Sequence, residues 1–111
     1  KLSKSPLVFI APKIKLNLAQ SAYSVIKKKF YPIRGQVVDD VAIKDIFIVV
    51  NDKKVYYRNF ANKKKSGGKI GEFATEIPLE PGENQINVVA RDAQDLIQSK
   101  KVILQRVSEI N

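Results

Sequence analysis

Between Glu76 and Asp92 the sequence EIPLEPGENQINVVARD sets two short alternating runs on either side of a Pro-Gly pair. Alternation of period two marks a strand with one buried face, because successive side chains leave the pleated backbone on opposite sides. At Pro81-Gly82 the proline fixes φ for the first central position of a turn, and the glycine supplies a positive φ for the second. Beyond the turn, Ile86, Val88 and Ala90 share one face while Asn87 and Arg91 take the other. The unit predicts a β-hairpin, and its pattern recurs along the chain.

Ile14, Leu16 and Leu18 alternate with Lys13, Lys15 and Asn17, predicting a first strand. AQSAYSVIKKK follows; Ala19, Ala22, Val25 and Ile26 would support about two turns of helix, and its Ser and Lys content suits a long loop equally. Phe30 to Val38 is the next strand, where Pro32 and Gly35 predict a bulge or a late start of pairing. VAIKDIFIVV is nearly all apolar from Ile46 to Val50, as in a central strand packed on both faces. Asn51, Asp52 and Lys53 turn the chain into KVYYRN, a hairpin partner. FANKKKSGGKIGE, basic and glycine-bearing, predicts a disordered loop before the strand Phe73 to Leu79. DAQD leads from the second arm of the opening hairpin to a last strand, Lys100 to Val107.

About seven short strands with no convincing long helix predict an all-β, immunoglobulin-like β-sandwich of two sheets. The expected organisation is a linker or extra strand over residues 1–10, the sandwich over 11–107 and a tail over 108–111. A chain of 111 residues suits one domain with a modest core. That core is expected to hold Ile14, Leu16, Ile33, Val37, Ile46, Ile48, Val50, Val55, Phe73, Ile77, Leu79, Ile86, Val88, Ala90, Val102 and Leu104. With no Met and a first residue Lys1, the chain is expected to be a processed product or a section of a longer protein, so a missing signal peptide is uninformative. PLVFIAP and IFIVV are too short to span a bilayer.

The succession IRGQVVDD, IKDIFIVVNDKKVYY and FATEIPLEPGENQINVVARDAQD resembles bacterial immunoglobulin-like domains of the glucodextranase B-domain type. Within that group, NDKKVYYRN followed by EIPLEPGENQINVVARD is most similar to the sandwich near the C-terminal end of carboxyl-terminal processing proteases. These are secreted serine peptidases with a PDZ domain, and the likeness runs from about Ala11 to Arg106. The resemblance implies an exported or periplasmic accessory domain whose partners are other domains of the parent protease or a sister subunit. It also implies that the Ser and Lys catalytic pair sits in a separate domain, so no catalytic role transfers to this chain. Two features depart from the group: the long stretch after the first strand and the KKKSGGK loop.

The residues point the same way by themselves. Without His the usual neutral-pH general base is missing, and without His or Cys so are the nitrogen and thiolate metal ligands. Ser3, Ser5, Ser21, Ser24, Ser66, Ser99 and Ser108 lie among so many lysines that a nearby pair is expected by chance. Ser66-Gly67-Gly68-Lys69 lacks the spacing and setting of a phosphate loop. No catalytic set and no cofactor are expected. Asp39 and Asp40, with Asp92 and Asp95, fall in connections that meet at one end of such a sandwich and offer hard oxygen ligands of the kind calcium takes. Turn formation accounts for them without a metal.

Lys and Arg total 20 against 11 Asp and Glu, and the +9 charge would draw the domain to an anionic envelope surface. The runs Lys27 to Lys29 and Lys63 to Lys65 are expected on different parts of the domain, and Tyr56 and Tyr57 on opposite faces of their strand, so no nucleic-acid platform is expected. If Ile46, Ile48 and Val50 face inward, Phe47 and Val49 face out, and the same parity turns Val89 and Ile103 outward. An exposed apolar patch of this kind marks a contact surface; sheet propensity, or cover by PLVFIAP, explains it otherwise. A carbohydrate- or cell-surface-binding module is the alternative, for which Tyr31, Phe47, Tyr56, Tyr57 and Phe60 supply the flat aromatic faces.

Overall fold

A computed structural model describes residues 10–17, 23–60 and 69–107. They form eight strands: β1 (Lys13–Asn17), β2 (Tyr23–Ile26), β3 (Phe30–Val38), β4 (Ile43–Val50), β5 (Lys53–Asn59), β6 (Ile70–Pro78), β7 (Gly82–Asp92) and β8 (Ile97–Arg106). One sheet has the order β1-β3-β6 and the other β2-β8-β7-β4-β5. The protein is an all-β, immunoglobulin-like sandwich.

The eighth strand is a correction. Tyr23–Ile26 is neither helix nor loop but β2, which pairs in parallel with β8 from Tyr23↔Ile103 to Ile26↔Arg106. Four residues are too few for a periodicity to declare itself. The strand exists because the edge of β8 offers it a ladder, and Ile26 is buried there while Val25 stays exposed.

No bulge breaks β3 at Pro32 or Gly35: its register with β6 is unbroken from Phe30↔Pro78 to Val38↔Ile70. Among the described residues β1 pairs with β3 from Lys13↔Val38 to Asn17↔Arg34, and Pro32 pairs with Glu76 of β6. Gly35 sits opposite Phe73, and a Cβ there would lie 2.5 Å from the Lys15 carbonyl oxygen and 2.8 Å from the Phe73 ring. The glycine makes room for an aromatic ring, not for a bend. The irregularities lie instead in β4, between Ile48 and Val49 against β5 and between Ile43 and Asp45 against β7.

Ile33, Val37, Ile46, Ile48, Ile77, Ile86, Val88 and Leu104 fill the space between the sheets. Leu16 and Val55 pack on its margin rather than within it. Ile26, Tyr31, Ile43 and Phe60 join the core, so neither Tyr31 nor Phe60 presents a face to a sugar. Phe60 is drawn inward because its amide bonds to the Lys44 carbonyl and its ring lies over Gly71.

Asn51 and Asp52 both have positive φ, as a two-residue turn matched to the twist of a hairpin requires. Gly82 follows Pro81 with φ of 94°. Beside it Asn84, fully buried, takes the Glu80 amide on its oxygen and donates to the Glu80 and Gly82 carbonyls. Residues 1–9, the KKKSGGK segment up to Gly68 and residues 108–111 lie outside the described residues.

Candidate functional site

The outer face of the five-stranded sheet carries the residues that parity turns outward. Phe47 stands opposite Val89 on β7 and Tyr57 on β5, while Val49 stands opposite Asn87 and Lys54. All of Phe47, Val49 and Val89 are half-buried, and the inward set Ile46, Ile48 and Val50 is buried. Ile103 is also half-buried but lies apart: Asn87 and Lys101, paired with each other, stand between it and the other three.

Cations frame the aromatic centre. Lys54 Nζ lies 4.8 Å from the centre of the Phe47 ring and 5.3 Å from that of Tyr57, and the Arg91 guanidinium lies 5.8 Å from Phe47. An exposed contact of this type is worth about 0.5–1 kcal/mol. Tyr56, one residue away, points inward and packs its ring against Phe73 at 6.3 Å. The two tyrosines do face opposite ways.

Next to Phe47 lies a group that the sequence reading misses. Asp45 is fully buried although it faces outward, because Arg91 and Tyr57 cover it. Arg91 donates Nε to Oδ1 at 2.8 Å and a terminal nitrogen to Oδ2, and the Tyr57 hydroxyl donates to Oδ2 at 2.9 Å. The Arg91 bonds hold the Asp45 carboxyl below its ordinary range against the opposing effect of burial, and Tyr57 adds to them. The same parity that turns Phe47 outward places Asp45 and Arg91 outward on neighbouring strands, so the signal was present.

A second feature lies at the end of the sandwich where the β3–β4 and β7–β8 connections meet. Asp39 Oδ2 accepts the amides of Val41 and Ala42 at 3.0 Å each. Asp92 Oδ1 accepts those of Gln94 and Leu96 at 2.9 Å each. The Ala93 amide bonds to the Ala42 carbonyl at 2.9 Å, and Lys44 reaches Asp95 at 3.0 Å, which ties the two loops together. Burial pushes the Asp39 carboxyl above its ordinary value; the two amides oppose this and the nearby Asp92 carboxyl adds to it. One oxygen each from Asp39, Asp40 and Asp92 lie within 4.8 Å of one another. Asp95 is not in that group; its carboxylate is turned to Lys44.

No family model matches the sequence, and no curated protein matches it. Solved structures do share its fold. The fibronectin(III)-like modules of Clostridium thermocellum CbhA align with TM-score 0.63 at 18% identity, over 88% of this chain and 100% of that one. Dimeric latent PorU of Porphyromonas gingivalis aligns with TM-score 0.69 at 14% identity over 92% of this chain. Wild-type OgpA of Akkermansia muciniphila gives 0.59 at 19% identity over 85%. The chain spans 11% of the PorU chain and 27% of the OgpA chain. At these identities the likeness is one of fold, and the fold is that of an immunoglobulin-like, fibronectin(III)-related sandwich.

Proposed function

We propose that this chain is a noncatalytic accessory domain of an exported carboxyl-terminal processing serine protease. It docks onto another domain of that protease, or onto a sister subunit, through the outer face of its five-stranded sheet. The observation that carries this reading is the Phe47–Val89 pair with Val49 beside it, an apolar centre left half-open and framed by Lys54 and Arg91. Apolar centres with a polar rim are how protein contacts are built, and Lys54 on that rim favours a partner carboxylate, Arg91 being already paired with Asp45. The recurrence of the fold as a module of CbhA and as a small part of dimeric PorU supports an accessory role. The +9 charge suits work beside an anionic envelope.

In this reading the chemistry belongs elsewhere in the parent, where a serine attacks the peptide carbonyl after a neutral lysine removes its proton. The complete reading frame that encodes this chain tests the assignment. A PDZ region and a Ser/Lys peptidase region upstream support it, and a frame without them contradicts the protease reading. The carbohydrate- or surface-binding alternative would then have to work with Phe47 and Tyr57, since Tyr31 and Phe60 are core residues and Tyr56 packs inward against Phe73.

A further inference from the structure

Turn formation accounts for only half of the two buried aspartates. Asp39 and Asp92 are 4% and 0% exposed, and each spends one carboxylate oxygen on two loop amides. The other oxygens, Asp39 Oδ1 and Asp92 Oδ2, are buried with no hydrogen-bond partner. One oxygen of Asp39 and one of Asp92 lie within 4.8 Å of each other. A buried carboxylate oxygen without a partner is costly to keep, and a pair of them side by side is costlier. A proton shared by the pair, or a cation between them, would relieve that cost.

A single proton would quiet the pair and involve two carboxyls only, whereas an oxygen of the exposed Asp40 lies in the same cluster. A cation uses all three. The three oxygens lie within 4.8 Å of one another, no farther apart than two oxygens on opposite sides of an ion at about 2.4 Å, a calcium distance. All the side-chain donors are carboxylates, and the chain has neither His nor Cys, which suits a hard cation and not zinc. Asp39 and Asp92 are already held by their amides, so little ordering remains to oppose binding. Asp40 is exposed, which leaves a side open to entry and to the waters that fill a coordination number of six to eight.

We propose that Asp39, Asp40 and Asp92 form a calcium site that clamps the β3–β4 connection to the β7–β8 connection at one end of the sandwich. This inference stands apart from the accessory-domain reading, because it concerns the stability of the sandwich whatever the sandwich serves.

The test is thermal unfolding and titration calorimetry of the whole chain in calcium chloride against a chelator, at neutral pH. Calcium in hundredfold excess over its dissociation constant should raise the melting temperature by roughly 10 °C. Asp40→Asn should weaken the affinity about tenfold or more and leave the calcium-free melting temperature nearly unchanged, since Asp40 is exposed. Because Asp92→Asn also disturbs a buried loop, the exposed Asp40 variant keeps the test sound. No heat and no shift up to about 10 mM calcium would overturn the site in favour of a shared proton. Calcium binding that is unaltered in Asp40→Asn and in Asp39→Asn would overturn it equally, by placing the ion elsewhere.

Discussion

Arg91 grips Asp45 across the β4–β7 ladder with two N–H donors on two carboxylate oxygens, on the outer side of a sheet where a carboxylate would ordinarily face water. The pair does more than neutralise charge. It fixes the guanidinium beside the Phe47 ring and, through Tyr57, holds the neighbouring aromatic in place. A bidentate arginine is strong because its planar fork matches the carboxylate.

Removing one partner leaves the other uncompensated. Asp45→Ala should destabilise the protein by about 2–3 kcal/mol, below the cost for a fully buried pair because the Arg91 side chain is 34% exposed. Urea unfolding measures this, and a loss under about 0.5 kcal/mol would mean that the pair behaves as an ordinary surface ion pair.

The same carboxylate sets a pH dependence. The Asp45 pKa is depressed in the folded state, first by Arg91, so its contribution is fully present above the unfolded value of about 3.9 and is lost as pH falls through the lower folded value. Melting temperature should therefore fall more steeply below pH of about 4 in the native chain than in Asp45→Asn. Parallel curves for the two proteins would contradict the assignment.

Gly35 makes a sharper structural prediction. A methyl group there meets the Lys15 carbonyl, which is backbone and cannot swing away. Gly35→Ala should cost about 2–3 kcal/mol through overpacking, despite the better strand propensity of alanine. Equal stability in a denaturant titration would show that β1 yields easily.

Much of this fold was legible because its signals are local. Alternation from Ile86 to Ala90, the positive φ at Gly82 and the turn at Asn51-Asp52 follow from the residues themselves. What escaped depends on neighbours. β2 exists through the edge of β8, and Phe60 is buried because Gly71 admits its ring. The four outward residues were correctly turned out of the core, yet only registers could reveal that Asn87 and Lys101 separate Ile103 from Phe47, Val49 and Val89. The aspartates at the sandwich end were legible as a group, whereas the unpartnered oxygens of Asp39 and Asp92 required side-chain geometry.

Asn84 ties the far end together. Its oxygen also accepts from Asn51 Nδ2 at 2.9 Å, and the Gln85 amide bonds back to Asn51 Oδ1 at 3.0 Å, which links the β4–β5 turn to the start of β7. Asn84→Ala should cost about 2–3 kcal/mol, because several backbone groups lose their partner at once. Amide hydrogen exchange would locate the loss at Glu80 and Gln85; unchanged protection at both would refute the role.

This chain contains no cysteine, so a single thiol introduced into it marks one position, and labelling is read on the peptide that carries it. The measurement that bears most directly on the docking face is the rate of thiol labelling of Val49→Cys. It is compared between the product of the complete reading frame and this chain alone at low concentration, with exposed Glu76→Cys on β6 as the control. If the outer face is a contact surface, Val49→Cys labels about tenfold or more slowly in the complete product while Glu76→Cys is unaffected. Equal rates at Val49→Cys in the two settings would contradict the docking face.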